Sequence, residues 1–61
     1  MKNLFDVMKL LKRFGIYIYT GDRKADIGMM QSEVKDLFDN GLVTKEEYIA
    51  ATLVLREEMP G

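Results

Sequence analysis

Gly15, Gly41 and Pro60 divide this chain into three blocks in which apolar residues recur every three or four positions. That spacing is the period of a helix with one buried face. In the first block, Leu4, Val7, Met8, Leu11 and Phe14 form the stripe and Leu10 widens it. Asn3 is placed to cap this helix, Asp6 follows at capping-box spacing, and Gly15 falls where a left-handed C-cap belongs. The second helix is predicted from Asp22 as N-cap to about Asn40, with Ile27, Met30, Val34, Leu37 and Phe38 on one face. In the third block, "TKEEY" spells a capping box of Thr44 and Glu47. Tyr48, Ala51, Thr52 and Leu55 line one face of that helix, while Ile49 and Leu53 line another. Two apolar stripes predict a helix lying between its neighbours, or one that turns half of its surface to a partner. The stretch "LFDNGLVTKEEY" reads as a tight helical hairpin. Asn40-Gly41 stops one helix, Leu42 and Val43 plug the turn, and Leu37-Phe38 meets Tyr48 across it.

One segment breaks the helical period. Residues 16 to 19 alternate Ile-Tyr-Ile-Tyr, the residue types and period of a strand. No second strand candidate exists to pair with it. It is therefore expected to be an extended connector with Ile16 and Ile18 inward and Tyr17 and Tyr19 outward, or else an edge that pairs with another copy. The fold class that follows is all-α. It is a small three-helix bundle with a short extended connector between helices 1 and 2, in a single domain of residues 1–61. A chain of 61 residues is near the lower limit for folding alone.

The chain has neither cysteine nor histidine. It therefore has no disulfide, thiol nucleophile, histidine base or Cys/His metal site. The acidic residues at 33, 36, 39, 46, 47, 57 and 58 are spaced like solvated helix faces, and a bundle this small has little room for a ligand cavity. No catalytic residue, cofactor or metal is expected, and the protein reads as a non-enzyme. No secretory signal opens the chain, and its longest apolar-rich run, "YIAATLVL", is too short to span a bilayer. A cytoplasmic location is expected, and membrane binding is not.

Charge is segregated along the sequence. Residues 1–24 carry Lys2, Lys9, Lys12, Arg13, Arg23 and Lys24 against Asp6 and Asp22, a net of +4. Residues 25–61 carry three cations against eight acids, a net of −5, so the whole chain is at −1. One consequence is attraction between the halves on folding. Another is a basic strip: Lys9, Lys12 and Arg13 on helix 1 join Arg23 and Lys24 beside Tyr17 and Tyr19. Arg23 and Lys24 stand in the first helical turn, facing the positive end of the dipole, where cations are disfavoured by about 0.3–1 kcal/mol. Asp22 and Asp26 are the expected countercharges.

"IYTGDRKADIGMMQSEVKDLF" followed by "GLVTKEEYIAATLVLREE" resembles the YqgQ-like family of short bacterial proteins. The resemblance spans nearly the whole chain, and Tyr19 to Arg23 is its most specific part. It implies a small three-helix bundle in soluble cytoplasmic proteins of largely unassigned role, for which single-stranded nucleic-acid binding has been suggested. It implies no catalytic residues.

Two functions compete. In the first, cations of the strip track phosphates while the tyrosines stack bases, in weak, salt-sensitive and sequence-tolerant binding of single-stranded RNA or DNA. Single strands are favoured because no helix combines a basic face with polar base-reading residues. The alternative is a protein-interaction or homo-oligomerising helical module. It would use the second stripe of helix 3, the "IYIY" edge and some of the five methionines.

Overall fold

The structure, a computed structural model, describes residues 1–60. Three helices follow in order: α1 (Leu4–Lys12), α2 (Arg23–Asp39) and α3 (Lys45–Glu58). No strand occurs among the described residues, so "IYIY" is a connector without a ladder.

Each helix starts where its cap chemistry dictates. The Asn3, Asp22 and Thr44 side chains accept from the backbone N–H groups of Asp6, Ala25 and Glu47. At α3 the box is complete, because Glu47 Oε1 also accepts from the Thr44 N–H at 2.9 Å. At α1 the reciprocal bond is displaced by one residue: Asp6 Oδ2 accepts from the Lys2 N–H at 2.8 Å.

Two helices end alike. Gly15 has φ +74° and Gly41 has φ +71°, both in the left-handed region that a side chain disfavours. At the first, Ile16 N–H donates to Leu11 C=O and Gly15 N–H to Lys12 C=O. At the second, Leu42 N–H donates to Leu37 C=O and Gly41 N–H to Phe38 C=O. This pair of bonds is the Schellman stop, which satisfies carbonyls that the helix end leaves without partners.

The core is continuous across the three helices. Val7, Leu10 and Leu11 of α1, Ile27, Met30, Val34 and Leu37 of α2, and Ala51, Val54 and Leu55 of α3 are buried together with Val43 of the turn. Helix α3 packs against both α1 and α2, with the broader contact to α2. It does so through Tyr48, Ala51, Val54 and Leu55, however, and not through the second stripe. Ile49 and Leu53 are 46% and 51% exposed. The reason is angular: one helix can wedge between two neighbours placed on the same side of it, so its far side stays wet. The hairpin turn departs similarly from expectation. Val43 is buried but Leu42 is more than half exposed. Phe38 and Tyr48 do meet, stacked with centroids 4.3 Å apart and planes within 11°.

The two sequence halves attract as charge segregation predicts. Arg13 Nη1 lies 3.4 Å from Glu47 Oε2, and Arg23 Nη1 lies 2.7 Å from Glu58 Oε2. Each ties a cation of the basic half to an acid on α3. Both pairs are partly exposed, and such pairs contribute about 0–1 kcal/mol each.

Candidate nucleic-acid interface

The connector leaves α1 through its Schellman turn and runs to α2 as a strip without helix or strand, lining a cleft together with Met8 and Leu11 of α1 and Met30 of α2. Alternation then decides what faces where. Ile16 and Ile18 pack on the core, while Tyr17 and Tyr19 are 74% and 84% exposed. The strip is fastened at its far end by Asp26. This carboxylate is only 6% exposed. Its Oδ1 accepts from the Thr20 hydroxyl at 2.6 Å and from the Thr20 N–H at 2.9 Å. The hydroxyl bond, aided by the Thr20 and Gly21 N–H groups, outweighs burial and holds Asp26 below the ordinary aspartate value.

This arrangement corrects one expectation. Asp26 is not the countercharge of Arg23: it points into the connector, and Arg23 reaches across to Glu58 at the end of α3.

Two adjoining clefts share Met8, Ile18, Tyr19 and Met30 and so form one groove along the connector. The first, of about 160 Å³, is also lined by Leu11, Lys12, Ile16 and Tyr17. The second, of about 260 Å³, is also lined by Leu4, Gly21, Arg23 and Asp26. The floor is aliphatic and methionine-rich, the tyrosines form a rim, and one cation stands in each half. Of the seven residues expected to form the strip, the groove gathers Lys12, Tyr17, Tyr19 and Arg23.

The other three lie elsewhere. Lys9 and Arg13 line a separate depression of about 490 Å³ between α1 and α3, beside Asp6, Glu46 and Glu47. There Lys9 Nζ sits 5.0 Å from the Phe5 ring centroid, a cation–π distance, and Arg13 is engaged by Glu47. The Thr44 N–H, with Arg13 adding to it, holds Glu47 below the ordinary glutamate value. Lys24 is exposed on the outer face of α2 and lines neither cleft. The residues that sequence reasoning missed are Thr20 and Asp26 as the fastening and Glu58 as the partner of Arg23. Thr20 and Asp26 are separated by six positions and Arg23 and Glu58 by 35, spacings that no local periodicity signals.

Among the described residues no group of three or more Asp or Glu is placed to hold a metal ion, and no helix is long and apolar enough to cross a membrane. Fold and groove together define a class: a three-helix bundle that displays an aromatic connector between two cations.

The family model described as YqgQ-like matches residues 1–60. The chain is 42% identical over 59 residues to a Bacillus subtilis (strain 168) protein described as "Uncharacterized protein YqgQ". That alignment covers 97% of this chain and 83% of the relative. The chain belongs to the YqgQ-like family.

Proposed function

We propose that this protein is a non-catalytic, cytoplasmic binder of single-stranded nucleic acid, RNA or DNA, and that the strand lies in the connector groove. The observation that carries the reading is the exposure of Tyr17 and Tyr19 on a fastened, extended strip, with Lys12 and Arg23 lining the same groove. Exposed phenol rings on a held backbone are stacking platforms, and a base stacked on such a ring is worth about 1–3 kcal/mol. The cations suit the phosphates on either side, and the apolar floor suits base edges that have left water. Binding of this kind is sequence-tolerant and weakens with salt. Lys24 lies close in sequence to this path, whereas Lys9 and Arg13 add only long-range charge.

Fluorescence anisotropy of short labelled RNA and DNA strands at low salt tests the reading. Tyr19→Ala and Lys12→Ala each weaken binding, Tyr19→Ala by about tenfold or more, while Lys9→Ala has the smaller effect. A wild-type protein that leaves the anisotropy unchanged for both strands ends it.

A second reading, a protein-interaction or self-associating module, is favoured by the half-exposed Ile49 and Leu53 on the outer face of α3. Pull-down from cell extract with and without nuclease separates the two, since capture through a strand is lost on nuclease treatment.

A further inference from the structure

Among the described residues, Arg23 is the one groove cation engaged by a carboxylate, and it holds Glu58 at 2.7 Å. We infer that Glu58 is a specificity-determining residue of the groove: an intramolecular competitor that a strand phosphate must displace from Arg23, so that a lone anion is held more weakly there while a strand keeps its remaining contacts. This inference rests on the groove reading above and adds to it the residue that sets the selectivity.

Guanidinium binds carboxylate and phosphate through the same N–H donors, so the two ligands exclude each other at Arg23. Glu58 is carried on α3, whose packing against α2 holds it near Arg23 at a high effective concentration. A free phosphate has to win that exchange unaided. A phosphate within a strand arrives already held by stacking on Tyr17 and Tyr19 and by charge at Lys12, so its own effective concentration at Arg23 is high as well. The pair is exposed enough to open, with the Arg23 side chain 54% and the Glu58 side chain 34% accessible. The other charged group of this half of the groove, Asp26, is committed to Thr20 and does not hold Arg23.

The test compares Glu58→Gln with Glu57→Gln, which removes the same charge from an adjacent residue that forms no ion pair among the described residues. For a short labelled single strand at low salt, Glu58→Gln binds about two- to fivefold more tightly than wild type, the range expected from releasing an exposed ion pair. Glu57→Gln changes affinity less, and the gain vanishes when Arg23→Gln is added. Inorganic phosphate moves the Arg23 guanidinium NMR signal in Glu58→Gln at a concentration about two- to fivefold lower than in wild type. Equal gains from the two glutamine variants, a gain that survives Arg23→Gln, or equal phosphate sensitivity of that signal in wild type and Glu58→Gln overturns the inference while leaving the groove reading standing. If neither wild type nor Glu58→Gln binds any strand, both fall together.

Discussion

The Thr20 hydroxyl donates to the buried Asp26 carboxylate at 2.6 Å, and the Thr20 backbone N–H donates to the same oxygen at 2.9 Å. These two bonds join the end of the tyrosine-bearing connector to the first turn of α2, a turn already capped by Asp22. Buried carboxylates persist only where their acceptor capacity is used, and here it is used to fix backbone. Thr20→Val removes the hydroxyl bond and leaves the N–H bond. It is expected to lower the thermal midpoint modestly and to speed amide hydrogen exchange at residues 16 to 21 more than in α3. Asp26→Asn weakens both bonds and has the larger effect. Exchange rates that rise uniformly over the chain would instead make the contact one of general stability.

The acid side of the stability profile follows from three carboxyl groups. Asp6, Asp26 and Glu47 are all held below their ordinary values in the folded chain, chiefly by hydrogen bonds from Lys2 N–H, the Thr20 hydroxyl and Thr44 N–H respectively. A depressed carboxyl value means that the unfolded chain takes up protons first as pH falls. Their contribution is therefore complete above the unfolded values of about 3.9 for Asp and 4.3 for Glu, and it is lost as pH drops through the folded values. Urea melts at stepped pH should show a flat midpoint through neutrality and a steep fall below about pH 4. The Asp26→Asn variant starts lower and falls less. On the alkaline side, Lys35 is raised by its hydrogen bond and ion pair with Asp39, so its share persists below the ordinary lysine value and is lost only above it.

Two glycines separate conformation from space. A Cβ added at Gly28 or at Gly41 meets nothing within 4 Å, yet only Gly41 has positive φ. Gly28→Ala should stabilise by about 1 kcal/mol, the helix-propensity difference. Gly41→Ala should destabilise by about 1–2 kcal/mol, the cost of a left-handed residue with a side chain. Paired denaturant melts check both signs. A stabilising Gly41→Ala would show that the hairpin can turn without its Schellman stop.

Most of the fold is legible in the sequence because it is written in short-range chemistry. Asn3, Asp22 and Thr44 cap the helices that follow them, Gly15 and Gly41 take the left-handed stops, and the 3–4 stripes become the core. The inward isoleucines and outward tyrosines are equally legible, since alternation in an extended segment leaves only two faces. Leu42 is a different matter. It reads as a plug and is exposed, whereas Ile16, at the same place after the other Schellman stop, packs on the core. What covers that position is therefore set by the neighbouring elements and not by the stop. Val54, absent from the stripe read along α3, is buried because that helix meets two neighbours at once.

The sequence alone thus determined where the helices begin and end, which residues are apolar enough to be hidden, and that the rings of Tyr17 and Tyr19 face outward. Tertiary structure alone decided which cations share a surface. Helix α1 turns Lys12 toward the connector and Lys9 and Arg13 toward α3, dividing what reads as one strip. It also decided partners: Asp26 goes to Thr20, and Arg23 goes to Glu58 from the far end of the chain. Caps and periodicity act within a few residues and so leave a mark in local order. Ion pairs between elements depend on how whole helices are packed, and no local pattern encodes that.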